Sequence, residues 1–158
     1  MIRPASTLAD FVRAEQLIRE YIGWLPFDLD FQDFETELAD LADHYAAPDG
    51  TLLLAYVAGG PKAVGIVGVR RFDRDVAELK RMYVQPAGRG SGLGRELAET
   101  AIDFAKEAGY QVIRLDSDEA SMPEANTLYE KLGFVDIEQY RPNHLPCARF
   151  MEKVLKSD

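Results

Sequence analysis

The chain has one cysteine and two histidines, His44 and His144. An internal disulfide is therefore excluded, and Cys147 has no companions with which to build a thiolate metal cluster. Positive charge is also short: 18 Lys and Arg stand against 27 Asp and Glu, a net charge of −9. A general nucleic-acid binder needs a basic footprint, so that class is set aside. No apolar run approaches the ~20 residues of a membrane span, and no membrane partner is expected. The opening ten residues lack the basic segment and apolar block of a secretory leader, which makes a cytoplasmic location the expectation. Repeats, low-complexity tracts and linkers long enough to divide domains are missing too.

What is present suits one globular domain over residues 1–158, with 47% hydrophobic and 28% charged residues. Residues 1–6 read as a short edge strand. Residues 8–22 carry Leu8, Phe11, Val12, Ile18, Tyr21 and Ile22 on one helical stripe. Asp30 is placed to cap a second helix that buries Phe34, Leu38, Leu41 and Tyr45. Strands are expected over 51–58 and 63–72, joined as a hairpin at Gly59-Gly60-Pro61, and over 76–84 after the turn Asp73-Arg74-Asp75. On the third strand, alternation puts Glu78, Lys80, Met82 and Val84 on one face. A helix with Leu93, Leu97, Ala101, Phe104 and Ala108 inward ends at Gly109, and a strand follows over 111–116. Ser121-Met122-Pro123-Glu124 reads as a capping box opening a helix that stops at Gly133. Strands over 134–138 and 148–155 complete the chain. Cys147 is expected to be a small buried residue.

Between the third strand and its helix lies Arg89-Gly90-Ser91-Gly92-Leu93-Gly94-Arg95. Glycines at alternate positions let the backbone bend and approach a ligand closely. A helix start adds unpaired N–H groups and a positive dipole end, which suit a phosphate. Lys80, Arg81, Arg89 and Arg95 gather around this loop in an otherwise acidic chain. A dinucleotide fingerprint would need glycine where Arg95 stands, and an ATP loop would end in Gly-Lys-Ser/Thr, so neither fits.

Arg89, Gly92 and Gly94 match the Arg/Gln-x-x-Gly-x-Gly/Ala signature of the GCN5-related N-acetyltransferase (GNAT) superfamily, which the chain resembles. Glu78-Leu79-Lys80-Arg81-Met82-Tyr83-Val84 resembles that family's fourth strand, and Leu128-Tyr129-Glu130-Lys131-Leu132-Gly133-Phe134 its second conserved block. The resemblance implies an α/β (α+β) fold: a central, mixed, mostly antiparallel twisted sheet of about seven strands flanked by four helices.

It further implies an acetyl-CoA-dependent N-acetyltransferase that moves an acetyl group to a primary amine of a small molecule or peptide, by direct attack in a ternary complex and without a metal. A non-catalytic acyl-CoA binding or sensing module is the alternative on the same fold. Backbone amides across Arg89, Gly90, Ser91, Gly92, Leu93, Gly94 and Arg95 would hold the pyrophosphate of the cofactor. Met82, Tyr83 and Val84 would pair with the pantetheine arm, with a strand bulge at Met82 or Tyr83 aiming an N–H at the oxyanion. Many members place a cofactor-holding asparagine where this chain has Met122; Asn126 stands nearby. Tyr129 is the candidate general acid. Glu78 is the candidate general base, best suited if burial raises it, with His44 and His144 as rivals. Trp24, Phe27, Tyr140 and Asn143 are the acceptor-binding candidates, joined by Tyr21, Phe31, Arg141 and His144 in the same regions. Arg141 could instead receive the carboxylate of an amino-acid acceptor. Similar proteins are frequently dimers, so a homodimer is a further expectation.

Overall fold

The computed structural model describes residues 1–26, 34–58, 60–143 and 145–155. Seven strands form one open sheet: β1 (Ile2–Pro4), β2 (Thr51–Tyr56), β3 (Ala63–Asp73), β4 (Val76–Val84), β5 (Val112–Asp118), β6 (Val135–Asp136) and β7 (Ala148–Val154). Among the described residues, the α-helices are α1 (Leu8–Trp24), α2 (Phe34–Ala39), α3 (Leu41–His44), α4 (Leu93–Glu107) and α5 (Pro123–Lys131). Sheet order is β1-β2-β3-β4-β5-β7-β6, and every pairing is antiparallel except β4 with β5. The mixed, mostly antiparallel architecture is the expected one, with the second helix broken into α2 and α3 at Asp40. Asp30, expected to cap it, lies outside the described residues.

Each face of the sheet carries its own core. Leu53, Val67, Val69, Leu79, Ile113 and Leu115 pack with Leu97 and Ala101 of α4. Leu52, Leu54, Ile66 and Tyr83 pack on the other side with Leu17 and Ile18 of α1 and with Leu38 and Leu41. Strand alternation produces this division, since neighbouring residues point to opposite faces.

Helix starts follow local chemistry, not always at the expected place. A capping box opens α1: the Asp10 amide donates to Thr7 Oγ1 (3.1 Å), and the Thr7 amide donates to Asp10 Oδ2 (3.2 Å). The box expected at Ser121 is not formed. Helix α5 starts at Pro123 with Met122 as its uncapped flank, while Ser121 donates its amide and hydroxyl to Asp118 Oδ2. Cys147 is exposed, not buried, because it sits in the turn that leads into β7.

One register change positions the site. Ile66 faces Tyr83 and Gly68 faces Lys80, so β4 carries one residue more than β3 between those pairs. The extra residue bulges, and Arg81 takes φ +60°, the left-handed region. A one-residue slip reverses every later side chain. Before the bulge, Ala77 and Leu79 face the α4 core; after it, Met82 and Val84 do. The expected common face of Glu78, Lys80, Met82 and Val84 is therefore corrected. Glu78 and Lys80 share the α1 side with Tyr83, while Met82 and Val84 lie on the α4 side.

Candidate functional site

Strands β4 and β5 pair only from Val76 to Glu78 against Val112 to Arg114. Beyond that point they part, and a cleft of about 530 Å³ opens between them. Its walls are the bulged end of β4, the glycine loop with the start of α4, Leu115 to Ser117 of β5, and the first two turns of α5; Tyr21 and Trp24 of α1 close one side.

The glycine loop borders the cleft through Gly90, Gly92, Leu93 and Gly94. Gly90 and Gly92 have φ +83° and +82°, and a Cβ at either would meet nothing within 4 Å. Backbone conformation, not crowding, is what requires glycine there. Among the described residues, no protein group accepts from the amides of Gly90, Ser91, Gly92, Leu93, Gly94 or Arg95. Unspent donors at a helix threshold fit an anionic diphosphate. The side chains of the loop do other work. Ser91 Oγ donates to Gly88 O (2.7 Å), and Arg95 points outward, 3.6 Å from Glu99. Arg89 folds back so that its Nε donates to Val84 O (2.9 Å), with its guanidinium 5.8 Å from the Trp24 ring centre.

Met82, Tyr83 and Val84 all line the cleft. The bulge lies between Lys80 and Tyr83, so it includes Met82 and excludes Tyr83. The unusual backbone of Arg81 is pinned by Glu37 of α2. Arg81 Nε donates to Glu37 Oε2 (2.9 Å), its Nη2 donates to Oε1 (2.7 Å), and the Tyr45 hydroxyl donates to Oε2 (2.7 Å). Burial alone would raise the Glu37 carboxyl, but the hydrogen bonds and charge of Arg81, then Tyr45, prevail and hold it down to about 2.

Tyr129 projects from α5 into the cleft, its ring packed on Phe134. Its hydroxyl has no hydrogen-bond partner among the described residues. Burial pushes its ionisation well above the ordinary tyrosine value, with Tyr21 and Asp116 adding to the effect, so the proton is retained at neutral pH.

Glu78 is placed differently from a free base. Only 1% of its side chain is exposed, and it does not line the cleft. Its Oε2 accepts from the Tyr140 hydroxyl (2.8 Å) and from Arg141 Nη1 (2.6 Å). Burial raises the carboxyl, but Lys80, Arg141 and Tyr140 together bring it below its ordinary value. The condition that suited it to accept a proton is not met, because three neighbours stabilise the anion. Of the rival bases, His44 sits 3.0 Å from Arg70 Nη1 and is lowered by burial, and His144 lies outside the described residues.

Asn126 is corrected as a cofactor ligand. It is buried away from the cleft, and its Nδ2 donates to Met122 O (2.6 Å) and Asp118 O (3.3 Å), which braces the β5 to α5 turn. Among the acceptor candidates, Trp24 is 47% exposed and lines the cleft. Tyr140 and Asn143 stand behind it: Tyr140 holds Glu78, and Asn143 Nδ2 donates to Asp116 Oδ2 (2.9 Å). Phe27 and Phe31 lie outside the described residues. Lys80, one of the four basic residues expected around the glycine loop, lies on the cleft wall; Asp116, which also lines the cleft, belongs to no motif, and its place in β5 was its only sequence signal.

A family model described as the acetyltransferase (GNAT) family matches residues 14–134. An uncharacterised N-acetyltransferase of Schizosaccharomyces pombe is 33% identical over 159 residues, covering 96% of each chain. The crystal structure of a GNAT-family acetyltransferase of Staphylococcus aureus superposes with a TM-score of 0.80 at 23% identity, over 99% of this chain and 100% of that one. An N-acetyltransferase of Thermoplasma acidophilum, solved in complex with coenzyme A, has a TM-score of 0.73 at 19% identity, with 98% of each chain covered. Among the described residues, no helix is long and apolar enough to cross a membrane.

Proposed function

The chain belongs to the acetyltransferase (GNAT) family, and on that premise we propose that it transfers an acetyl group from acetyl-CoA to a primary amine. The observation that carries this reading is the run of unspent amides from Gly90 to Arg95 beside an open cleft that Tyr129 also lines. The amides would bind the diphosphate. The parted end of β4 would hold the pantetheine arm along Met82 and Val84, and an N–H at the bulge would face the thioester oxygen. Acetyl-CoA supplies the activated acyl group; the N–C bond forms, the C–S bond breaks, and CoA leaves as the thiol.

Two protons must be handled. Tyr129 donates one to the departing sulfur, which its unpartnered hydroxyl leaves it free to do. The ammonium releases one proton to solvent before it attacks, and its nitrogen gives up a second after attack, which restores Tyr129, so the products are the amide, the thiol and one proton. Glu78 serves as a positioning residue that anchors Tyr140 and Arg141, and Asp116, the cleft-lining carboxylate of β5, faces the incoming ammonium. Attack takes place directly in a ternary complex. Thiol release from acetyl-CoA, screened against a broad amine library, tests the reading. Acetyl-CoA affinity without thiol release from any amine would select the binding-module alternative.

A further inference from the structure

The Lys80 ammonium is the least answered charge in the cleft. It lies on the cleft wall with its side chain 5% exposed, and no group among the described residues accepts a hydrogen bond from it. Its nearest carboxylate oxygen, Glu78 Oε1, is 3.9 Å away, and the other Glu78 oxygen is occupied by Tyr140 and Arg141. Arg141 adds a second unmet donor beside the same carboxylate, because its Nε is buried with no partner. A buried cation without acceptors is costly. The charge of Lys80 helps hold Glu78 ionised, but across 3.9 Å it makes no hydrogen bond, so the ammonium's own donors stay unmet.

The opposite wall offers the opposite sign. Asp116 alternates with Leu115 along β5 and turns away from the α4 core, toward the Tyr140 and Asn143 side. Its Oδ2 accepts from Asn143, and its Oδ1 has no donor among the described residues. One cation and one anion with spare hydrogen-bonding capacity therefore face a common space across the parted strands.

We propose that the acetyl acceptor is an amine that also carries a carboxylate, of the α-amino-acid class, with Lys80 receiving the carboxylate and Asp116 facing the ammonium. The proposal rests on the acetyl-transfer reading and narrows its substrate. Burial, followed by the charge of Arg81, pulls Lys80 down to about 8, which still leaves it mostly cationic at neutral pH. An arriving carboxylate restores the hydrogen bonds that the ammonium lacks.

The test uses matched acceptors: α-amino acids, their carboxamides and the corresponding decarboxylated amines, with thiol release as readout. The wild type should turn over the carboxylates with kcat/KM about tenfold or more above their carboxamides, the factor expected of one desolvated ion pair. Lys80→Met should erase that preference by raising KM for the carboxylates, with kcat and coenzyme A affinity nearly unchanged. A structural role alone would lower both members of a pair alike. Lys80→Gln replaces the first variant if that one fails to bind coenzyme A, and the wild-type comparison stands without either. Equal turnover of the paired acceptors, or a preference that survives in the variant, overturns the proposal while leaving the acetyltransferase intact. If no amine releases thiol, acetyl transfer itself fails. Calorimetry of N-acetyl amino acids against their carboxamides, on the coenzyme A complex, then decides the Lys80 site: tighter binding of the carboxylates supports it, and equal or absent binding removes it.

Discussion

Arg81 and Glu37, 44 residues apart in sequence, form a two-pronged buried ion pair that holds the β4 bulge. Arg81 is the one non-glycine residue with positive φ among the described residues, a backbone state that costs about 1–2 kcal/mol. The pair joins helix α2 to the strand end that borders the cleft, so the stability of a distant helix and the geometry of the site depend on the same contact.

Glu37→Ala leaves the Arg81 guanidinium buried without its carboxylate. Removing one partner of such a pair costs about 3–5 kcal/mol. Urea unfolding should register that loss, and coenzyme A affinity should fall with it because the bulge loses its support. An unaltered midpoint and affinity would show that the bulge stands without the pair.

Acid should act through the same residue. Glu37 ionises near 2 in the fold against an ordinary 4.5, so its contribution is complete above about 4.5 and lost as pH falls toward 2. Glu37→Gln should flatten the decline of stability across that window by on the order of 3 kcal/mol. Asp10, Glu78 and Asp136, also lowered in the fold, keep a residual slope in both proteins. Thermal melts at stepped pH make the comparison, and parallel curves would refute it.

Gly92→Val should weaken acetyl-CoA binding about tenfold. The valine Cβ has open space, so the penalty comes from a β-branched residue at φ +82°, worth about 1–2 kcal/mol. Isothermal calorimetry with coenzyme A measures it, and unchanged affinity contradicts the assigned role of the loop.

Tyr129→Phe should lower kcat by about 10²-fold or more, the usual contribution of a positioned acid, with little change in coenzyme A affinity. Burial of the ring is retained, so stability should move little. Wild-type turnover in this variant would remove Tyr129 from the chemistry.

Lys80→Met should stabilise the free protein while impairing it. The folded state holds Lys80 near 8 against an ordinary 10.5, so the penalty is present below about pH 8 and relieved as pH rises toward 10.5. Removing the ammonium should gain about 1–3 kcal/mol at pH 7, part of it offset by lost attraction to Glu78. That gain should shrink above pH 8. A lower melting temperature at pH 7 would mean that Glu78 depends on Lys80 after all. The neighbours that set this balance are Glu78, Arg81, Arg141 and Glu37.

Most of the fold was legible because it rests on local periodicity. The α4 stripe at Leu93, Leu97 and Ala101, the hairpin of β2 and β3, and the turn from β4 into the loop all depend on neighbours within a few residues. The candidate site was legible in part. Gly90, Gly92 and Tyr129 line the cleft. Glu78 and Asn126 do not, because what occupies a carboxylate or an amide comes from distant segments: Arg141 for the first, the Asp118 and Met122 carbonyls for the second.

By itself, the order of residues determined the glycine loop and its helix start, since backbone freedom and unpaired amides are properties of adjacent residues. Tertiary structure alone decided the parity of β4. The bulge at Arg81 reverses which side chains meet the α4 core, and it is held by Glu37 from a separate helix. A strand's alternation can be read from its own residues, but a one-residue slip depends on what the partner strand and the opposing helix offer.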